Sequence, residues 1–322
     1  MYNSPAPAIE GRMLCASVLA YSVPDTGTIN PPNNNIQQTV PYFNGAGYSA
    51  APTMIASDYD ISNAACTVGI TQDGIVLAFR GTVYNSITDW INDLLLEPVT
   101  VNGVPGKVHD GFNKAVNVIF APILQMIKKL KQAYPAANFY ITGHSKGAGM
   151  APIAAYYLYK NGIKAQKLYL YAPPLPGTKG FASAFNSLFP ATFLYENYLD
   201  IVPLLAPSPT TAGGLDYYFI ENGSEEALAA AVLITGLAAF DYSSVGSTAN
   251  TFYIPQPVNG KYSIITLNNE VYLQQLKAIG LALMADDIKQ IADAHNSRCF
   301  AGYMNALSGG ICYPIVEEAH TY

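Results

Sequence analysis

The pentapeptide Gly143-His144-Ser145-Lys146-Gly147 places a serine two residues from a glycine on either side. At that spacing a serine hydroxyl can serve as a nucleophile. In a chain with 26 glycines the pattern alone carries little weight. Its surroundings carry more. Residues 138–142 read as a short apolar strand leading in, and residues 148–159 as a helix of small residues leading out. A sharp strand–turn–helix holds the serine at strained backbone angles, so that its Oγ stands clear of the sheet. Bulkier residues two places away would collide. The start of the helix then brings a backbone N–H beside the reacting carbon. The competing reading is a glycine-flanked turn that happens to contain serine.

A serine hydroxyl is a poor nucleophile without a base to take its proton. The chain has four histidines, His109, His144, His295 and His320. His144 adjoins Ser145 and would point away from the substrate side of the turn, which suits core packing. Hydrolases built on this turn run in the chain order serine, acid, histidine, which leaves His295 and His320. His320 stands close to the last residue, where chains fray. His295 follows a helical stretch over residues 271–292. The acid must lie between Ser145 and His295. The choices are Glu196, Asp200, Asp216, Glu221, Glu225, Glu226, Asp241, Glu270, Asp286, Asp287 and Asp293. Asp200 comes just past a strand at residues 193–197, and a carboxylate at such a strand end faces the same crevice as the serine turn. There it would hold the imidazole in one tautomer and stabilise its cation. Otherwise it is a solvated loop aspartate.

Further blocks accompany these. Phe79-Arg80-Gly81-Thr82 ends a strand, and Ser86-Ile87-Thr88-Asp89-Trp90-Ile91-Asn92-Asp93-Leu94 follows as an amphipathic segment. Then come Val108-His109-Asp110-Gly111-Phe112, the Gly143–Gly147 turn and Asn197-Tyr198-Leu199-Asp200-Ile201-Val202-Pro203. Ala294-His295-Asn296-Ser297 lies near the end. In order and spacing this set resembles the fungal-type class 3 lipases over residues 66–205, and more weakly beyond. The resemblance implies Ser145 as nucleophile, Asp200 as acid and His295 as base. It implies an oxyanion hole of the Thr82 and Lys146 backbone N–H groups, to which the Thr82 hydroxyl could add a bond. It gives His109 a structural role and makes residues 86–96 a lid helix, with Trp90, Ile91 and Leu94 over the substrate groove. The competing reading of that segment is an ordinary helix packed permanently on the core. Lys146 departs from the commoner leucine, and a lysine near the mouth of the site could affect substrate preference. Pro152 also departs, since proline inside the following helix removes one backbone donor and bends it.

The elements that must position these residues alternate. Residues 66–71 and 75–79 read as two strands joined through Asp73-Gly74, a step suited to a hairpin turn. Phe112, Val116, Ile119, Ile123, Met126 and Leu130 recur at helical spacing, and Pro122 among them should kink or split that helix. Strands follow at 138–142, 168–172 and 193–197. Alternation of this kind predicts a mostly parallel sheet covered by helices on both faces. Together with the resemblance it points to an α/β-hydrolase fold with a helical lid, as one domain over residues 1–322. Residues 24–60 read as a surface excursion and residues 205–260 as an insertion. Within the insertion, residues 227–240 are apolar and read either as a second flap, as a helix touching lipid, or as a buried helix.

Of the 322 residues, 50% are hydrophobic and only 12% charged, with 24 tyrosines and 22 prolines. The low charge favours an extracellular protein. A net charge of −6 offers no electrostatic footprint for nucleic acid. Residues 13–23 faintly mimic a signal peptide, but Glu10 precedes them and no small-residue cleavage site follows, so they read as a first helix packed on the core. The run at 227–240 falls short of the roughly 20 residues that span a bilayer. Among Cys15, Cys66, Cys299 and Cys312 there is no metal-ligand spacing. Either Cys299 and Cys312 close a small loop while Cys15 and Cys66 are core residues, or all four are free buried thiols. The chemistry requires neither metal nor cofactor. The sequence is silent on oligomeric state. The expectation is a lipase cleaving acyl esters of glycerolipids at a lipid–water interface through an acyl-enzyme on Ser145. Phospholipase A1, a short-chain or feruloyl-type esterase, an acyltransferase and a catalytically inactive binding protein are the competing readings.

Overall fold

The computed structural model describes residues 5–23, 28–29, 43–57, 64–82, 96–205, 238–285, 287–296 and 303–308. Along the chain come α1 (Ile9–Leu19), β1 (Thr28–Ile29), β2 (Thr53–Ala56), β3 (Ala65–Thr71), β4 (Gly74–Phe79), β5 (Pro98–Val99) and β6 (Val108–His109). Then follow α2 (Asp110–Ala133), β7 (Phe139–His144), α3 (Lys146–Lys160), β8 (Lys167–Tyr171), β9 (Gly177–Thr178), α4 (Lys179–Leu188) and β10 (Thr192–Asn197). The last elements are β11 (Tyr242–Ser243), β12 (Thr251–Ile254), β13 (Ile265–Thr266), α5 (Asn269–Met284), α6 (Ile288–His295) and α7 (Tyr303–Ser308).

Among the described residues a nine-stranded sheet has the order β1-β2-β3-β4-β7-β8-β10-β12-β13. Its middle, β4-β7-β8-β10-β12, is parallel throughout, with antiparallel strands at both flanks. A parallel sheet needs both faces covered, and β7 shows how this is done: all six of its residues are buried. On one face Thr142 Oγ1 donates to the Met13 carbonyl of α1. Tyr171 of β8 donates to the Glu10 carbonyl of the same helix. The other face packs against α3, and α3 against α2. Aromatic side chains stack across neighbouring strands, Tyr171 on Tyr195 at 5.1 Å and Tyr195 on Phe252 at 5.2 Å. Such pairs add to the burial of their area.

Several expectations need correction. The hairpin turns at Gln72-Asp73, since Thr71 already pairs with Gly74. Gly74 keeps the positive φ, at 143°. Pro122 does not split α2, which runs on for 24 residues with the proline inside it. Pro152 sits inside α3, as the sequence placed it. The tertiary packing of the apolar faces outweighs the one lost backbone bond. The excursion at 24–60 contributes β1 and β2 to the sheet. The region read as an insertion supplies β12, which pairs in parallel with β10. Strands of two to four residues carry too little periodicity to be seen in sequence. Cys15 is disulfide-bonded, to a partner outside the described residues, so it is not a plain core thiol. Cys66 is a free buried thiol whose titration burial pushes upward. The segment 83–95, most of the apolar run at 227–240, Cys299, Cys312 and His320 lie outside the described residues. Among the described residues no helix is long and apolar enough to cross a membrane.

The described part of residues 13–23 does pack on the core: Met13 through Ala20 are buried. Arg12 anchors that helix. Its Nε and Nη2 donate to the two Asp73 carboxylate oxygens at 2.7 and 2.8 Å, and Nη1 donates to the Ala6 and Pro7 carbonyls. Arg12→Ala leaves a largely buried carboxylate without its cation. Urea denaturation is expected to show a loss of about 2 kcal/mol.

Candidate active site

Ser145 stands between β7 and α3 with φ 59° and ψ −132°. That is a sparsely populated region for a residue with a side chain, and only surrounding structure can hold it there. The two flanking glycines show what does. A Cβ at Gly143 would collide with the Gly147 carbonyl, and a Cβ at Gly147 with the Phe79 carbonyl at the end of β4. The turn is thus closed on itself and pressed against the neighbouring strand, which pairs Phe79 with Gly143. Thr82 lies three residues past Phe79. Its Oγ1 is buried and, among the described residues, has no hydrogen-bond partner, which is costly unless an acceptor arrives. Lys146 opens α3 and is buried.

His144 does more than pack. Its Nε2 lies 2.9 Å from the His295 carbonyl and so must donate to it; its Nδ1 then accepts from the Tyr21 hydroxyl at 2.8 Å. The residue preceding Ser145 therefore holds the backbone of His295, and the two imidazole centroids are 4.8 Å apart. His295 ends α6. Its Nδ1 lies 2.9 Å from Asp200 Oδ1. A carboxylate can only accept, so Nδ1 carries the proton and Nε2 is left as the basic nitrogen.

Asp200 is completely buried. A carboxylate so placed needs donors around it, and the turn after β10 supplies them. Oδ1 also accepts from the Val202 N–H at 2.9 Å, and Oδ2 accepts from the Tyr303 hydroxyl at 2.5 Å. Tyr303 in turn accepts from the Asn197 N–H at 3.1 Å. Burial and the neighbouring Asp200 push the Tyr303 hydroxyl well above its ordinary titration range, so it stays a donor. Asn197 Nδ2 donates to the Ala294 carbonyl at 2.8 Å, tying α6 to the strand that carries Asp200. His109 caps α2 instead: its Nδ1 accepts from the Phe112 N–H, and its ring stacks on Phe112 at 3.9 Å.

The structure thus brings Ser145, Asp200, His295, Thr82 and Lys146 into one region. Trp90, Ile91 and Leu94 lie outside the described residues. Tyr303, Tyr21 and Asn197 were not anticipated. Asn197 had a signal, as the first residue of the Asn197–Pro203 block; Tyr21 and Tyr303 had none, since both arrive by tertiary folding. Chemically the arrangement can take a proton from a hydroxyl through His295 and offer donors to a developing oxyanion near Thr82.

Residues 76–209 match the family described as Lipase (class 3). Over this segment the chain is similar to the class 3 lipases. A lipase of Rhizomucor miehei is 33% identical over 178 residues, which are 52% of this chain and 47% of that protein. A secreted mono- and diacylglycerol lipase of Fusarium solani is 34% identical over 134 residues, 41% of this chain and 39% of that protein. The chain spans less than half the length of both relatives. A solved triacylglycerol lipase, described as having a serine protease triad at its catalytic centre, is 18% identical. It covers 94% of each chain at a TM-score of 0.57. That likeness is one of fold, the α/β-hydrolase fold. The class 3 lipase segment contains Thr82, Ser145, Lys146 and Asp200; His295 and Tyr303 lie beyond it.

One carboxyl in this site is unlike the rest. Glu196 is buried on β10, and burial pushes it up to about 7, with Asp200 adding to the rise. An unfolded chain ionises it near 4.5. A carboxyl raised on folding stabilises most below its unfolded value, and that stability is lost as pH rises through about 7. Glu196→Gln removes this loss. At about pH 8 the variant is expected to exceed wild type in unfolding free energy by on the order of 3 kcal/mol, and to match it more closely at about pH 5. For Tyr303→Phe, which removes the donor to Asp200 Oδ2, steady-state kinetics should show kcat about tenfold lower with little change in KM.

Proposed function

We propose that this chain is a serine carboxylic-ester hydrolase that cleaves acyl esters of glycerolipids, with Ser145 as nucleophile, Asp200 as acid and His295 as base. The observation that carries this reading is the clamp on His295: Asp200 on its Nδ1, and on its carbonyl the residue next to Ser145. Its Nε2 is left basic beside a serine at the strained turn. The glycerolipid substrate is inferred from what the Rhizomucor and Fusarium relatives are named for.

Ser145 Oγ attacks the ester carbonyl carbon while its proton passes to His295 Nε2. The carbonyl oxygen becomes an oxyanion that accepts from the backbone N–H groups of Lys146 and Thr82 and from the orphaned Thr82 hydroxyl. The tetrahedral adduct collapses, the C–O bond to the glycerol oxygen breaks, and His295 returns the proton to that oxygen. Water then attacks the acyl-serine, giving its proton to His295; the second adduct collapses, the bond from the acyl carbon to Ser145 Oγ breaks, His295 returns the proton to Oγ, and the fatty acid leaves. Asp200 stays ionised and stabilises the imidazolium in both halves.

The remaining expectations belong to this proposal. Residues 1–322 form one domain, residues 86–96 with Trp90, Ile91 and Leu94 cover the acyl groove, and the protein works outside the cell at a lipid–water interface. The secreted Fusarium relative and the low charge support the location.

An acyl-chain series of p-nitrophenyl esters and emulsified acylglycerols, run on wild type and Ser145→Ala, tests it. Wild type should hydrolyse medium and long chains and rise in activity when emulsion forms. Ser145→Ala should lose at least about 1,000-fold in kcat. Near-normal hydrolysis by the variant refutes the nucleophile. Activity confined to the shortest chains, with no rise on emulsion, replaces the lipase reading with a short-chain esterase.

A further inference from the structure

Behind Asp200 lies a second buried carboxyl that the mechanism above does not use. Glu196 stands on β10, four residues before Asp200, and is only 7% exposed. Among the described residues it forms no ion pair. The groups that face it come from several elements. Asp200 faces it from the turn after β10. Tyr253 lies opposite it in register on β12, and Tyr303 faces it from α7. Gln275 comes from α5. Both tyrosines are raised above their ordinary range by burial and remain neutral. Among these neighbours the other carboxyl is that of Asp200, which holds His295.

Gln275 is the second observation. It is completely buried, and among the described residues neither its Nε2 nor its Oε1 reaches full hydrogen-bond geometry, the nearest approach being to the Glu196 carboxyl. A buried amide without a well-formed bond at either end is rare, because each such end carries a desolvation cost. The same amide lies close enough to Glu196 to favour its charged form. A carboxyl that gains and loses a proton there would meet an amide able to serve either state, accepting from the acid through Oε1 or donating to the carboxylate through Nε2.

We propose that Glu196 is a positioning residue for the reaction, a second carboxyl that sets through Asp200 how strongly His295 holds its proton, with Gln275 as the neighbour that accommodates its change of charge. When Glu196 is neutral, Asp200 alone supports the imidazolium. When it ionises, a second negative charge joins Asp200 inside the protein, where charges are weakly screened, and His295 becomes more basic. The two groups then titrate as a coupled pair rather than one by one. The inference rests on His295 being the base of the proposed hydrolase, and its test does not require hydrolysis.

The test is the titration of the His295 ring, followed by heteronuclear NMR on the full chain from about pH 5 to about pH 9. Wild type is expected to titrate in two steps. Glu196→Gln, locked neutral, should titrate in one, with the proton affinity of the ring lowered about threefold or more. Gln275→Leu removes the amide that favours the charge and should move the upper step to higher pH. A single-step wild-type curve overturns the proposal, and that curve decides the matter even if Glu196→Gln does not fold. A Glu196→Gln curve that superimposes on wild type also overturns it. Hydrolysis retained by Ser145→Ala would instead refute the nucleophile and leave the His295 titration as it is, so the two failures are distinguishable.

Discussion

The burial of the Asp200 carboxylate is the constraint to which the rest of this site answers. A charge removed from water must be met by donors placed in advance. Here each donor belongs to a different part of the fold. The Val202 N–H comes from the turn itself, the Tyr303 hydroxyl from α7, and the His295 Nδ1–H from the end of α6. The demand of one carboxylate thus fastens two C-terminal helices to the sheet. Asn197 strengthens the arrangement twice, through its backbone N–H to Tyr303 and its side chain to the Ala294 carbonyl. Because these bonds share members, losing one loosens the others.

The serine turn is held from the opposite direction, by steric closure rather than by charge. Gly143, Gly147 and Phe79 approach so closely that no side chain fits between them. The strain at Ser145 is sustained by that packing and by the fully buried β7. His144 joins the two halves. The His295 carbonyl can only accept, so the proton sits on Nε2, which holds the His295 backbone, and Nδ1 is left to accept from Tyr21. A residue whose sequence position suggests packing alone is the physical link between the turn and the histidine.

The class 3 lipase likeness is strongest where the chain is closed by the parallel sheet, over residues 76–209. Two of the three donors to Asp200, His295 and Tyr303, lie outside it, whereas the Val202 N–H lies within. This division has a physical reason. The serine turn and the strand ends need particular small residues at particular spacings. A hydroxyl donor to a buried carboxylate can be delivered by any element that reaches it.

What the sequence determined by itself was local. The glycines around Ser145, the carboxylate just past the strand at Asp200, and the alternation of strands and helices are all legible because each depends on near neighbours in the chain. The helical face from Phe112 to Ile123 was readable for the same reason. The tertiary structure alone decided the rest. It continued α2 through Pro122, because packing outweighs one missing bond. It made strands of residues 28–29, 53–56 and 251–254, which are too short to show a period. It brought Tyr21 to His144 and Tyr303 to Asp200 across more than a hundred residues of chain. It also turned Glu196, one of eleven candidate carboxylates in the sequence, into a buried acid beside Asp200, since burial and proximity are properties of the fold and leave no mark on spacing.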